Sequence, residues 1–416
     1  MKGKQKVVLA YSGGLDTSVA IKWIAEKYNA DVIALALDVG AEKAYPEIRD
    51  RALKIGAIKS LVVDARELFV KYFVFPALQA DAIYEGSYNL ATALSRPLMA
   101  KLLVDTAHAE GAFAVAHGCT GKGNDQVRFD VSVGALAPEI KIIAPAREWG
   151  MTREEEIAYA KRNGIPVPVT VSSPYSTDEN LWGRSIECGV LEDPWAEPPE
   201  DIYRWTKSVQ QAPDKPAYVE IAFENGIPVS LDGRKLGGVA LIDELHDLAG
   251  KHGIGRVDHV ENRLVGIKSR EIYEAPAATV LLEAHQALED LTLSKPQLRF
   301  KQRVVQEYAD LIYNGLWFTS LHQDLAAYVQ SSQRYVTGAV RMKLFKGRAV
   351  VVGRQSPHSL YSLSLATYDK GDVFDQTASI GFIHIWGLPV KTQARIQLLQ
   401  QPEGPLSIVL PQEKKS

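Results

Sequence analysis

Short apolar segments alternate with helical patterns over the first 165 residues of the chain. The segments typical of buried strands are 7–10, 31–37, 60–63, 112–116 and 141–143. Apolar positions with helical spacing follow residue 18 and recur over 47–55, 65–73 and 97–109. This alternation predicts an α/β fold with a doubly wound parallel sheet, which binds its ligands at the carboxyl ends of the strands. The loops after Ala10, Leu37 and Ala116 are therefore the places to search for a site.

The pattern changes after residue 165, where the chain becomes rich in proline and then alternates as antiparallel strands do. Hairpins are predicted where Asn225-Gly226 separates 217–223 from 229–231, and where Lys346-Gly347 separates 336–345 from 348–353. Helices are predicted at about 238–250, 275–290 and 296–313, and a last helical stretch at 390–399. We therefore expect an α/β domain at 1–165, a separate α+β domain at 166–386, and a C-terminal helix with its tail at 387–416.

The strand at 7–10 leads directly into the loop Ser12-Gly13-Gly14-Leu15-Asp16-Thr17-Ser18 and then into a helix. Glycines let such a loop approach an anion closely, and the free N–H groups of the helix face that anion. The loop is not the G-x-x-x-x-G-K-[ST] motif, because Asp16 stands where that motif has its lysine. Since Asp16 would repel a phosphate, we expect a Mg²⁺ ion partly held by Asp16. The string SGGLDTS resembles the PP-loop of the ATP pyrophosphatases, which split ATP between its α and β phosphates.

A second polar segment, HGCTGKGNDQVRF at 117–129, directly follows the strand at 112–116. An enzyme that uses ATP on a dicarboxylic substrate must gather roughly six negative charges, which requires cations and directed hydrogen-bond donors. Lys122 and Arg128 can supply the positive charge. Thr120 and Asn124 offer neutral hydrogen bonds, and Asp125 can receive an ammonium group.

Composition narrows the class of protein. The chain has 416 residues and a formal net charge of −3, whereas nucleic-acid-binding proteins usually carry a basic excess. Two cysteines, Cys119 and Cys188, cannot build a disulfide framework and favour a reducing compartment. The first residues do not form a signal peptide, and no stretch reaches the ~20 apolar residues of a membrane span. We expect a cytoplasmic enzyme that binds neither nucleic acid nor membrane.

Five strings together resemble the argininosuccinate synthase family, in the same order over nearly the whole chain. They are AYSGGLDTS, HGCTGKGNDQVRF, YSTDENLWGRS, GKHGIGRVDHVENRLVGIKSREIYEAP and GRQSPHSLY. The resemblance implies a PP-loop domain with a Rossmann-like sheet, joined to a synthetase and multimerisation domain and a C-terminal oligomerisation helix. It also implies a ligase that condenses citrulline with aspartate through a citrulline adenylate, releasing AMP and diphosphate, in arginine biosynthesis and the urea cycle. The family forms homotetramers.

The resemblance also implies roles for individual residues. ATP would contact Ala10, Tyr11, Ser12, Gly13, Gly14, Leu15, Asp16, Thr17, Ser18, Ala36 and Gly118. Aspartate would contact Thr120, Asn124 and Asp125. Citrulline would contact Tyr88, Asn124, Arg128, Ser176, Ser185, Glu261 and Tyr273. The catalytic candidates are Asp16, Lys122 and Asp125, of which Asp125 would orient the aspartate amine or relay its proton.

One position departs from the family, since Ala93 stands where a serine hydroxyl is expected to contact citrulline. Thr92 is offered only as a neighbour of that position. Three other classes of protein remain as alternatives. An RNA-modifying PP-loop enzyme would need a pair of reactive cysteines and a basic surface, and a glutamine-dependent synthetase would need a glutaminase domain. A nucleotide-binding module without catalysis would lack the large second domain.

Overall fold

The computed structural model describes residues 4–166 and 174–408. It divides into two compact units, Met1–Leu360 and Tyr361–Ser416, and each is described by itself. Among the described residues of the first unit there are three sheets, one parallel and two antiparallel. In the described part of the chain, no helix combines the length and apolar character needed to cross a membrane.

The N-terminal sheet is parallel and has the strand order β3-β2-β1-β4-β5. Its strands are β1 (Gln5–Ala10), β2 (Ala30–Asp38), β3 (Lys59–Asp64), β4 (Ala114–Ala116) and β5 (Lys141–Ile143). Its helices are α1 (Leu15–Tyr28), α2 (Tyr45–Ile55), α3 (Arg66–Phe69), α4 (Phe75–Gln79), α5 (Ala91–Glu110), α6 (Asn124–Leu136), α7 (Pro145–Glu148) and α8 (Arg153–Arg162). A π-helical turn, Val70–Val74, joins α3 to α4.

Helices cover both faces of this sheet, which confirms the predicted doubly wound fold. Val7 and Leu9 pack with α1 and α2 on one face, whereas Val8 packs with α5 and α6 on the other. Strands buried on both faces read as continuous apolar runs, and this is why the strands could be recognised. The strand order reverses between β1 and β4, so the loops after Ala10 and Ala116 open into the same crevice.

Helix α5 differs from its prediction because it begins at Ala91 and contains Pro97, which the sequence pattern placed at its start. The Tyr88 hydroxyl accepts hydrogen bonds from the N–H groups of Thr92 and Ala93, at 3.0 and 3.3 Å. These bonds satisfy two N–H groups of the first helical turn, which otherwise lack partners. The Tyr88 side chain, which lies outside the helix, thus stabilises a start at Ala91 that helical periodicity alone did not indicate.

The second sheet contains both predicted hairpins, in the order β10-β9-β8-β13-β14. Asn225-Gly226 and Lys346-Gly347 adopt positive φ at both turn positions, as two-residue hairpin turns require. The third sheet was not predicted; it is antiparallel, with the order β11-β12-β7-β6. The strands of the two sheets are β6 (Ser176–Asn180), β7 (Gly183–Glu187), β8 (Ala217–Glu224), β9 (Ile227–Leu231), β10 (Arg234–Lys235), β11 (Arg256–Asn262), β12 (Lys268–Glu274), β13 (Gly338–Phe345) and β14 (Arg348–Gln355).

Four long helices accompany these sheets: α9 (Gly238–Lys251), α10 (Pro276–Thr292), α11 (Lys295–Tyr313) and α12 (Ser320–Ser332). The first three match the predicted helices, and their apolar faces join the largest buried cluster of the chain. Helix α12 was not predicted.

The second unit contains the short helices α13 (Leu363–Ala366), α14 (Ala378–Trp386) and α15 (Leu388–Gln393), followed by a π-helical turn, Ala394–Leu398. The predicted helix at 390–399 is thus split between α15 and this turn.

Candidate active site

The loop between β1 and α1 is held in shape by contacts from its own residues and from α2. Gly13 has φ +79°, a conformation that side chains rarely adopt, and Arg51 donates a hydrogen bond to its carbonyl oxygen at 2.6 Å. The hydroxyl oxygens of Ser12 and Thr17 lie 3.1 Å apart across the loop. The N-terminus of α1 therefore faces the crevice with its backbone N–H groups available to an anion.

A cavity of about 900 Å³ opens at this loop. Among the predicted ATP contacts, eight residues line it: Ala10, Tyr11, Ser12, Gly14, Leu15, Asp16, Thr17 and Gly118. The other three, Gly13, Ser18 and Ala36, are not among its lining residues. Ser18 is buried against the hydroxyl of Tyr11, and Ala36 lies within β2, where its neighbours Leu35 and Leu37 form the wall. In a strand successive side chains point to opposite faces, so only alternate residues can face the cavity.

Asp16 lies beside Arg153 and Glu156, which α8 contributes to the same region. The Arg153 Nη1 atom is 2.6 Å from Asp16 Oδ1 and 3.7 Å from Glu156 Oε2. Burial raises the pKa of Glu156 to about 8, and the neighbouring charge of Asp16 acts in the same direction. Two carboxyl groups therefore share one exposed guanidinium group at the edge of the cavity.

A smaller cavity of about 200 Å³ adjoins the larger one, and Cys119 and Asp178 line both. The residues named from the sequence that line this cavity are Tyr88, Thr92, Thr120, Asn124, Asp125, Arg128, Ser185, Glu261 and Tyr273. Ser176 instead lines the larger cavity. Ala93 is buried and contacts Tyr88 through its backbone N–H. Lys122 is exposed and is not among the residues that line either cavity.

One wall of the smaller cavity is a face of the β11-β12-β7-β6 sheet. The register pairs Asp178 with Ser185 and Ser185 with Tyr273, so these three side chains point to the same face. Glu187 and Glu271 lie two residues along their strands from Ser185 and Tyr273, and both also line the cavity. The opposite face buries Ile186 and Ile272. The side chains that line the cavity are thus selected by the strand period of two.

Glu261 is the centre of a buried hydrogen-bond network on this wall. Its carboxylate accepts hydrogen bonds from the hydroxyls of Tyr273 at 2.7 Å and Tyr313 at 2.8 Å. Asn124 donates to Tyr313 at 2.8 Å and accepts from the Leu264 N–H at 3.0 Å. The network joins the N-terminus of α6 to β11 and β12, so it holds Asn124 against the sheet.

Asp125 is held between two guanidinium groups. Its carboxylate oxygens lie 2.7 Å from Arg96 and 3.0 Å from Arg128, and Arg96 also pairs with Asp178. Burial alone would raise the pKa of Asp125, but the two positive charges outweigh that effect and lower it. Asp125 is therefore a carboxylate at neutral pH. The Nη2 atom of Arg128 is buried and lacks a hydrogen-bond partner among the described residues.

Three further charged residues complete the wall. Arg263 pairs with Glu187 and, at 2.7 Å, with Glu271. Burial raises the pKa of Glu271 to about 9, and the charges of Glu187 and Glu261 contribute in the same direction.

Cys119 lies at the boundary of the two cavities, where burial raises the pKa of its thiol to about 12 and the charge of Asp125 adds to the effect. A thiol with that pKa is a poor nucleophile near neutral pH.

Sequence reasoning missed Arg96, Asp178, Glu187, Arg263 and Glu271. Each lies within two to four residues of a predicted site residue. The residues on the sheet could have been found because each lies two positions along a strand from Ser176, Ser185 or Tyr273 and so shares its face. That signal becomes readable only when the segments are known to be strands.

Models of known families match both parts of the chain. Residues 6–166 match the arginosuccinate synthase N-terminal HUP domain, and residues 175–393 match the arginosuccinate synthase C-terminal domain. The chain is 61% identical over 401 residues to argininosuccinate synthase of Dehalococcoides mccartyi, covering 96% of this chain and 99% of the relative. It is 62% identical over 395 residues to the enzyme of the same name from Symbiobacterium thermophilum, covering 95% and 98%.

The contact between the two glycine loops gives a test of the larger cavity. A Cβ atom on Gly118 would lie 2.8 Å from Thr17 Cγ2, whereas a Cβ on Gly121 meets no atom within 4 Å. Gly118→Ala should displace Thr17 and weaken binding of a fluorescent ATP analogue about tenfold, since overpacking typically costs about 1–3 kcal/mol. Gly121→Ala is the matched control and should bind as the parent chain does. Equal affinities for the two variants would contradict this placement of the nucleotide.

Proposed function

This chain belongs to the argininosuccinate synthase family, and we propose that its two adjoining cavities divide the family's reaction between them. The reaction is the ATP-dependent condensation of L-citrulline with L-aspartate to argininosuccinate, which releases AMP and diphosphate. The chain is thus a carbon–nitrogen ligase of arginine biosynthesis, with ATP as a substrate. Its match over nearly the full length of its relatives leaves no place for the RNA-modifying, glutamine-dependent or non-catalytic alternatives.

The larger cavity binds ATP. The observation that carries this assignment is the shared wall: Cys119 and Asp178 line both cavities, so a nucleotide at the β1 loop reaches the boundary of the smaller one. Ser12, Gly14 and Thr17 face the phosphates at the N-terminus of α1, where N–H groups and hydroxyls favour an anion. Lys122, exposed on the loop that connects Gly118 to α6, is proposed to reach the diphosphate.

The smaller cavity binds both amino acids. Thr120, Asn124 and Asp125 contact aspartate, and the charged Asp125 carboxylate receives its amino group. Because the Arg96 and Arg128 charges lower the pKa of Asp125, this carboxylate is better suited to orient the amine than to accept its proton.

Citrulline contacts the sheet wall and the start of α6. Glu261 and Ser185 receive its ammonium group, while Arg128 offers the unpartnered Nη2 atom to its carboxylate. Tyr88 and Tyr273 stack with ring centroids 4.4 Å apart and close the side of the cavity. Ser176, on the wall of the larger cavity, lies where the ureido end meets the nucleotide. Ala93 offers no hydroxyl to citrulline, and the neighbouring Thr92 lines the cavity.

The reaction proceeds in two displacements. The ureido oxygen attacks the α phosphorus and diphosphate leaves. The aspartate ammonium group then loses a proton to solvent, its free amine attacks the activated carbon, and AMP leaves. The residues act mainly by position, since holding reactants in line can supply on the order of 7–11 kcal/mol. A Mg²⁺ ion, held by Asp16, would supply positive charge to the phosphates. Asp16 fits this part because its carboxylate lines the cavity.

The C-terminal unit serves assembly. Large apolar side chains are exposed along it, and exposed apolar patches mark surfaces that bind other proteins. They include Val373, Phe374, Ile380, Phe382, Ile383, Ile385, Trp386, Leu388, Val390 and Ile396. We propose a homotetramer in which the helical stretch at 390–399 packs against a neighbouring subunit. This stretch lies in the C-terminal segment 387–416, which follows a nucleotide domain at 1–165 and a synthetase domain at 166–386. Both cysteines are free, which is consistent with the proposed cytoplasmic location.

Isotope transfer tests the reaction directly. With citrulline labelled by ¹⁸O in its ureido group, the label should appear in AMP, diphosphate release should require citrulline, and full turnover should require aspartate. Mass spectrometry of AMP and an assay of diphosphate give the two readouts. Diphosphate release that is independent of citrulline would leave the ATP site standing and reject the substrate.

Replacing Asp125 tests the role given to its carboxylate. Asp125→Asn keeps the shape but removes the charge that receives the amine, so argininosuccinate formation should fall at least about tenfold while ATP affinity is unchanged. Asp105→Asn, an exposed carboxylate on α5, is the control and should retain full turnover. Unchanged turnover in Asp125→Asn would remove this residue from the mechanism.

Truncation tests the assembly. A chain that ends at Gly387 loses α15 and the following turn, and its molar mass in solution, measured by light scattering, should fall below that of the full-length assembly. An unchanged assembly mass would show that the last segment does not hold the subunits together.

A further inference from the structure

Glu156 carries a buried carboxyl group that lies next to the carboxyl group of Asp16. The residue is 7% exposed, and its Oε2 atom has no hydrogen-bond partner among the described residues. Its ion pair with Arg153 Nη1 spans 3.7 Å, which is too far for a hydrogen bond. A buried acceptor without a partner costs free energy, so such a group points to a partner that the protein does not supply, which is water or a cation.

Asp16 faces the same point from the cavity side. Its Oδ1 atom lies 2.6 Å from the Arg153 Nη1 atom that approaches Glu156. A single cationic atom is therefore within 4 Å of two carboxylates from different elements, the start of α1 and the first turn of α8. This is the arrangement of a cation site with a side chain in the place of the cation.

Arg153 and Glu156 differ in their freedom to move. A capping box between Thr152 and Glu155 fixes the backbone at the start of α8, and Glu156 follows it as a buried residue. The Arg153 side chain is 59% exposed, so it can leave its position without opening the core. Once displaced, its guanidinium group remains at the wall of the larger cavity, where the phosphates of the nucleotide would attract it.

We propose that Glu156 is a second carboxylate ligand, with Asp16, of the Mg²⁺ ion that accompanies ATP, and that Arg153 occupies the ion's position when it is absent. The inference rests on the proposed function, because it extends the single ligand Asp16. Mg²⁺ takes oxygen ligands, is commonly held by one or two carboxylates, and fills its other positions with water and phosphate oxygens. Glu156 supplies a ligand on a fixed backbone. When the ion enters, the Arg153 guanidinium group leaves, so one positive charge replaces another.

The experiment measures metal binding without turnover. Mn²⁺ alone is titrated into the nucleotide-free full-length protein at constant pH, and the free ion is measured by electron paramagnetic resonance. Glu156→Gln should raise the Mn²⁺ dissociation constant about tenfold or more, since a bound ion would hold Glu156 in its ionised form and an amide carries no charge to pair with the ion. Arg153→Met should lower the constant about fivefold, because it removes a competing charge about 4 Å from the ion. Glu154→Gln, on the exposed side of the same helix, is the matched control and should bind as the parent chain does.

A higher dissociation constant in Glu156→Gln together with a lower one in Arg153→Met supports the proposal. An unchanged dissociation constant in Glu156→Gln overturns it, and so does weaker binding in Arg153→Met, which would show that Arg153 does not compete with the ion. The circular dichroism spectrum of each variant shows that it is folded. If the two variants do not shift the Mn²⁺ dissociation constant as expected, and diphosphate release by the parent chain still requires citrulline, only this inference is rejected. If diphosphate release by the parent chain does not require citrulline, the substrate assignment falls instead.

Discussion

The Arg96 guanidinium group joins the two halves of the site. It pairs with Asp125 at the N-terminus of α6 and with Asp178 on β6, so one side chain connects a helix of the parallel sheet to the antiparallel sheet. Arg96 itself is largely buried, so losing either carboxylate would leave its charge less well compensated, which makes the arrangement hard to loosen. Because Asp178 lines both cavities, the same ion pairs also hold the boundary between the proposed ATP site and the proposed citrulline site.

The charge on the smaller cavity follows from this arrangement. Five carboxylates line it, from Asp125, Asp178, Glu187, Glu261 and Glu271, whereas Arg128 and Arg263 are its guanidinium groups. Arg96 adds a third positive charge from the side of the larger cavity. Negative groups remain in excess; in the proposed complex they would pair with the two ammonium groups of the substrates, and the guanidinium groups would pair with the substrate carboxylates. The raised pKa of Glu271 lowers the excess, since burial beside Glu187 favours its protonated form.

The two kinds of sheet explain what could be predicted from the sequence. Strand β1 is buried on both faces, so Val7, Val8 and Leu9 form an apolar run that reveals both the strand and the glycine loop after it. Strands β6 and β12 turn one face toward a polar cavity, and their sequences STDEN and KSREIYE carry few apolar residues. A segment whose buried face is polar does not show the alternation of apolar and polar residues by which strands are recognised. Ser185 and Tyr273 could therefore be named only through the family, and Asp178 and Glu271 were missed.

A second cluster shows why the environment of a carboxylate pair matters more than its proximity. Asp81, His285 and Glu289 also lie close enough together to hold an ion. There, however, the Lys301 ammonium group pairs with both carboxylates and is itself 3% exposed, while Gln333 donates to Glu289 at 2.6 Å and His285 contacts Asp81 at 2.6 Å. The charges are thus matched and the oxygens have partners, so an ion would gain little and would have to displace a buried lysine. At Asp16 and Glu156 the cation is an exposed arginine, and one carboxyl oxygen has no partner among the described residues. An ion can therefore replace the arginine at Asp16 and Glu156, whereas the buried lysine stays in place between Asp81 and Glu289.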